Sequence, residues 1–160
     1  MLMRPYIACM MKLILPTILA ASTMIFASQA SADILSPLLW KNRVLILFDA
    51  SRSSAPLDRQ IDILRQRRSE MRERDLVAIS NPGKSDTASV IGYVSITPGA
   101  NRELRNRFKP AAHAMTIVLV GKDGTEKGRW QKLVQADEIF DLIDSMPMRQ
   151  KEIKDSAATN

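Results

Sequence analysis

Few side chains in this sequence are suited to chemistry, and their placement narrows what that chemistry could be. The chain has one cysteine, Cys9, and one histidine, His113. Its densest polar stretch is Asp49-Ala50-Ser51-Arg52-Ser53-Ser54-Ala55-Pro56, which follows the apolar run Val44 to Phe48 and precedes a charged segment. A strand that meets a polar elbow and then a helix is where α/β domains hold ligands and reacting groups. A nucleophilic Ser53 would need a base within reach and an oxyanion hole. His113 precedes a different strand and no Gly-x-Ser-x-Gly elbow exists, so a helix cap is the better account of Ser53. Anion binding is a second chemistry. The first N–H groups of the helix, the hydroxyls of Ser51, Ser53 and Ser54, and Arg52 together suit a carboxylate or a phosphate. Asp49 would serve as acid or base if buried; its simpler role is to end the strand and accept local backbone N–H groups. His113 has no His, Cys or carboxylate at ligand spacing, so neither a metal nor a cofactor is expected.

These groups must be positioned by the elements around them. Val44 to Phe48 has the length and continuity of a strand buried on both faces. The spacing of Leu57, Ile61, Leu64 and Met71 predicts one helix from near Pro56 to about Arg74. Arg59, Arg65, Arg67, Arg68, Arg72 and Arg74 cover its other surface among Asp58, Asp62, Glu70 and Glu73, a solvated face with i,i+4 pairs such as Glu70–Arg74. Asp75 to Ser80 predicts a second strand, parallel to the first, and Asn81 to Lys84 a turn. Val90 to Ile96 predicts a short strand or hairpin arm. A helix beginning near Thr97-Pro98 follows, with Leu104 and Phe108 inward and Arg102, Arg105, Arg107 and Lys109 outward. Met115 to Val120 and Thr125 to Gln131 form a hairpin across Lys122-Asp123-Gly124. A last helix buries Ile139, Phe140, Leu142, Ile143 and Met146, with Asp137 and Glu138 at its positive end. Pro147 breaks that pattern. Met146 to Arg149 either closes the core or forms a docking edge of adaptable methionines. Leu35, Leu38, Leu39 and Trp40 are expected to pack on the core edge.

Residues 1–32 have the pattern of an export leader: Arg4 and Lys12, an apolar stretch from Leu13 to Ala27 broken by Pro16, then Ala30-Ser31-Ala32. Cleavage is expected after Ala32, giving a signal peptide 1–32, a domain 33–154 and a disordered tail 155–160. The apolar stretch is shorter than a membrane span requires. Cys9 lies inside the leader, so the exported chain would have no thiol and no disulfide, although an oxidising compartment permits one. A formal net charge of +6, interspersed with acids, favours solubility but leaves no concentrated nucleic-acid footprint.

The order β-α-β, variable arm, α, β-hairpin, α is that of an α/β, thioredoxin-like fold with a mixed central sheet. Leu119-Val120-Gly121-Lys122-Asp123-Gly124 and Phe140-Asp141-Leu142-Ile143-Asp144-Ser145-Met146-Pro147-Met148-Arg149 also resemble a bacterial family known only as a domain of unknown function. Its relatives include modules of secreted matrix proteins of the coiled-coil-domain and sushi-repeat-containing kinds. The resemblance covers essentially all of the chain after the leader and implies a fold close to peroxiredoxins. It places Ser53 and Pro56 where thioredoxins carry the Cys-x-x-Cys sulfurs, and Thr116 where a cis-proline precedes the third strand. The implied fold is kept while the sulfur chemistry has no residue to perform it. The expectation is a periplasmic or secreted, redox-inactive binding or adaptor domain with a protein partner in the cell envelope, and no nucleic acid. Membrane contact would come only through an uncleaved leader. Two alternatives stay open. One is a cysteine-free enzyme or anion-binding protein using Asp49, Arg52, Ser53 and Thr116; the other is an envelope or matrix adhesion module.

Overall fold

The computed structural model describes residues 34–49, 55–82, 89–91 and 100–159, all within the compact unit Ser31–Asn160. After a 3₁₀ turn at Ser36–Leu38 the elements are β1 (Arg43–Asp49), α1 (Ala55–Gln66), α2 (Arg68–Glu73), β2 (Leu76–Pro82) and β3 (Ser89–Ile91). They continue as α3 (Ala100–Phe108), β4 (Thr116–Val120), β5 (Glu126–Trp130), α4 (Ala136–Asp144) and α5 (Pro147–Thr159). The five strands form one sheet in the order β3-β2-β1-β4-β5. β1 runs parallel to β2, with Val44 opposite Val77, and antiparallel to β4, with Ile46 opposite Val118. The sheet is therefore mixed, with β1 at its centre.

Every residue of β1 is buried, so the strand feeds two cores. Because side chains alternate across a strand, Leu45 and Leu47 join Leu57, Leu64, Met71, Ile139, Phe140 and Ile143 on the α1–α2–α4 face. Val44, Ile46 and Phe48 join Leu35, Leu38, Leu104 and Phe108 on the α3 face. Thus the continuous apolar run reads correctly as a strand covered on both sides.

Several elements depart from the sequence expectation. The single long helix is two, α1 and α2, because Arg67 leaves helical backbone (φ −109°, ψ 28°) and its N–H turns back three residues to Leu64. That interruption lets Arg67 reach Glu70 on α2 and Asp137 at the start of α4. The expected Glu70–Arg74 pair does not form: Arg74 donates to the Glu70 backbone carbonyl and sends its charge across to Asp144 on α4. Trp40 does not pack on the core edge but is 67% exposed, with φ at +63°. The expected tail 155–160 is helical as far as Thr159, since α5 continues well beyond Lys154. β2 extends through Asn81 and Pro82, where a turn was expected. Of the expected arm, Ser89–Ile91 pairs antiparallel with β2, while residues 92–99, including Thr97-Pro98, lie outside the described residues.

One buried polar side chain escapes the helical pattern altogether. Gln60 on α1 is fully buried, and its amide donates to the Val134 carbonyl and accepts the Val134 N–H, both at 3.0 Å. It closes the β5–α4 loop over the core as a backbone strand partner would. Gln60→Leu would strand both Val134 groups in an apolar site, and each lost partner costs ~1–3 kcal/mol. A substantial drop in the urea midpoint of unfolding is expected, and an unchanged midpoint would show that the loop is held by other contacts.

Candidate functional site

The elbow end of the sheet collects two of the four residues singled out from the sequence. Asp49 closes β1 and Thr116 opens β4; Thr116 lies opposite Phe48, so the two sit at the same end of neighbouring strands. Both are buried. The Thr116 hydroxyl accepts the Ala111 N–H at 3.1 Å and thereby ties down the segment leading into β4. Arg52 and Ser53 lie outside the described residues. His113 is exposed, and no group of three or more His, Cys, Asp or Glu side chains able to hold a metal occurs among the described residues.

Arg105, expected to face outward, turns in at this end instead. It donates to the Asp49 carbonyl at 2.6 Å and to Asn101 Oδ1 at 3.2 Å, and its guanidinium lies 5.7 Å from the Phe48 ring centre. Burial pulls its pKa down, and the Asp49 charge only partly offsets this. The sequence held one signal for it: Asn101, Arg105 and Phe108 recur at helical spacing on the shoulder of the apolar stripe. This end can fix a buried carboxylate beside a partly desolvated cation.

The opposite end of the sheet holds a denser polar assembly that the sequence did not reveal. Arg43, the first residue of β1, is 1% exposed. Its guanidinium donates to the Arg74 carbonyl at 2.9 Å and to both Glu152 oxygens at 3.2 and 3.1 Å. Lys122, in the β4–β5 turn, donates to the same Glu152 at 2.7 Å and to Asp75 at 2.8 Å. Arg149 bonds Asp144 at 3.1 Å, and the side chain and carbonyl of Glu73 at 2.8 and 3.0 Å. Arg74 meets the other Asp144 oxygen at 2.6 Å while lying 4.7 Å from the Phe140 ring centre. Beside this assembly is a cavity of about 320 Å³ lined by Arg43, the 121–123 turn, Lys127 and the Met146-Pro147-Met148 corner. Met148 is exposed and Met146 half-buried against the core, so the corner both closes the core and offers a surface.

Charge and burial oppose each other here. Burial pushes the Glu152 carboxyl up, but hydrogen bonds from Lys122 and Arg43 outweigh it and hold the group below its ordinary value of 4.5. Burial likewise raises Asp144, and Arg74 and Arg149 bring it below 3.8. For Lys122, burial lowers the ammonium while Asp75 and Glu152 raise it further, so its pKa ends above 10.5.

The fold and this geometry define the class first. A mixed sheet with β1 central, helices α1 and α2 between parallel β1 and β2, and a closing β-hairpin and helix is thioredoxin-like. Solved structures agree. Plasmodium vivax 2-Cys peroxiredoxin in its reduced form superposes with a TM-score of 0.54 at 16% identity, over 73% of this chain and 84% of that one. Plasmodium yoelii thioredoxin peroxidase I gives 0.52 at 19% identity, over 73% and 79%. At such identities the likeness concerns the fold alone. Within that class, the chain belongs to the family described as Domain of unknown function (DUF4174), which it matches over residues 34–152. Sushi repeat-containing protein SRPX of Homo sapiens is 27% identical over 126 residues, and that of Rattus norvegicus 26% over 128. Each match covers 78% of this chain but 27% of the relative, so the chain spans about a quarter of their length. The two stretches that carry the family resemblance, 119–124 and 140–149, meet at the Arg43 end of the sheet and not at the elbow.

The direction of the acid shifts sets the pH dependence of stability. Because Glu152 and Asp144 have lower pKa values folded than unfolded, the unfolded chain binds more protons as pH falls. Their contribution is complete above the ordinary carboxylate range and is lost as pH drops through the lowered folded-state values. Urea unfolding of the wild type should therefore give a plateau near neutral pH and a decline below about pH 4. Glu152→Gln should cost about 3 kcal/mol at neutral pH, by leaving Arg43 sealed against a neutral amide. The variant should also lose less on acidification; a wild-type slope in the variant would remove Glu152 from the account.

Proposed function

We propose that this chain is an exported thioredoxin-like binding or adaptor domain that works without thiol chemistry. One observation carries the reading. The chain has a thioredoxin-like architecture and a single cysteine, Cys9, which lies before residue 34, where the family match begins. Disulfide exchange and thiol peroxidase chemistry need a thiolate nucleophile, and the matched span supplies none. What such a fold retains is its surfaces, and folds are reused in this way when function moves to a different site. Export rests on the leader pattern of residues 1–32. No helix among the described residues is long and apolar enough to cross a membrane.

A second reading keeps the function at the elbow, as an anion-binding protein or cysteine-free enzyme, and the convergence of Asp49, Thr116 and Arg105 favours it. The two readings part on one experiment. The tagged chain, expressed from its own start and recovered from the cell envelope, should begin at Asp33 by N-terminal sequencing. Used as bait, it should retain the same discrete protein partner in wild-type and Arg52→Ala/Ser53→Ala forms, and neither form should reduce a disulfide substrate with catalytic turnover. A partner lost in the folded double variant would move the function to the elbow. A cytoplasmic, uncleaved product would remove export.

A further inference from the structure

We propose that α5 is an ionic latch: a separately opening unit, held to the rest of the domain by carboxylate–cation pairs and released by acid, which uncovers Arg43 when it leaves.

The seating of α5 sets it apart from the other helices. No side chain among residues 147–158 belongs to either hydrophobic core. Its large apolar residues, Met148 and Ile153, are exposed, and Arg149 is the one buried residue among those described in it. The helix therefore meets the domain through a single turn, Arg149 and Glu152. Glu152 pairs with Arg43 of β1 at 3.1 Å and with Lys122 of the β4–β5 turn at 2.7 Å, and Arg149 of its own helix lies at 3.8 Å. Arg149 pairs with Asp144 at the end of α4 at 3.1 Å and with Glu73 of α2 at 2.8 Å. Arg74 also serves Asp144 and Glu73, at 2.6 and 3.5 Å, and Asp75 shares Lys122 at 2.8 Å. The other pair on α5, Lys151–Asp155, is exposed to solvent. The join to α4 can serve as a pivot, because Pro147 has no N–H to carry a helical hydrogen bond back across it.

A seat made of ion pairs depends on protonation, whereas apolar burial does not. Burial pushes the Glu152 and Asp144 carboxyls up, but their cation partners hold them below 4.5 and 3.8 while α5 is docked. The released state therefore takes up protons as pH falls through those lowered values, and acid favours release. Once Glu152 is neutral, Arg43 is a buried charge without its counter-ion, and departure of α5 relieves that cost by admitting water. A helix of 13 residues is marginal on its own in water, so a released α5 melts. The two cores, built without it, stay closed. Elements that bring little apolar burial open locally in this way, below the free energy of global unfolding.

Release of α5 needs no partner, so it stands or falls apart from the adaptor reading. Amide hydrogen exchange on the full chain, corrected for intrinsic rates, tests it. Between about pH 7 and about pH 3, protection of residues 151–156 should fall at least roughly tenfold relative to β1 and β4. Glu152→Gln should produce that fall already at neutral pH and flatten the acid dependence. Arg149→Met leaves Asp144 paired with Arg74 and should have the same effect in smaller measure if Glu152→Gln does not fold. Asp155→Asn, in the solvent-exposed pair, should change nothing. Three results would overturn the proposal: α5 amides that exchange together with those of β1 at every pH, α5 protection that acid leaves unchanged, or Asp155→Asn acting as strongly as the folded Glu152 or Arg149 variant.

Discussion

A guanidinium sealed from water at the first residue of the central strand must be neutralised where it lies, and much of the domain is arranged around that requirement. Isolated buried charge is prohibitively costly, and a buried pair is tolerable only when its geometry and remaining hydrogen bonds are good. Arg43 meets the condition through both Glu152 oxygens and the Arg74 carbonyl. Glu152 stands on α5, the last element of the chain, and Arg74 in the turn before β2. Satisfying one side chain therefore fixes the docking of α5 and the entry to the second strand. Lys122 shares the same carboxylate and brings the β4–β5 turn into the assembly. Arg149 and Arg74 extend it through Asp144 to the end of α4.

The densest ionic assembly among the described residues thus stands at the end of the sheet away from Asp49. The Asp49 end keeps a buried carboxylate, a hydroxyl spent on holding a loop, and an arginine folded over Phe48. The Arg43 end instead joins five elements through ion pairs beside an apolar recess. Buried ionic assemblies contribute modestly to net stability but define which surfaces may meet. A helix such as α5, whose described residues are mostly exposed, gains a unique seat from them. The same assembly fixes the methionine–proline corner against the turn.

Much of the fold was legible in the sequence. The run Val44 to Phe48 announced a strand covered on both faces, Lys122-Asp123-Gly124 announced the hairpin, and the Ile139–Ile143 spacing announced α4. Arg105 was misjudged as solvent-facing because a single charge on the shoulder of a helix gives no periodic signal; only the position of Phe48 decides its course. The break at Arg67 was hidden for the same reason, since the apolar residues Leu64 and Met71 keep helical spacing across it. Gln60 gives no sequence signal, because its partner, Val134, is far along the chain.

The sequence by itself determined the succession of the strands, the two-sided burial of β1 and the lack of a thiol in the family-matched span, since those follow from local hydrophobic pattern and residue identity. It did not determine which charges would be buried. Arginine, lysine and glutamate read alike whether solvated or paired, and Arg43, Lys122 and Glu152 are spread across nearly the whole domain. Only the tertiary structure brings them to one point, because a long-range ion pair leaves no periodicity to be read and exists only after the chain has closed on itself.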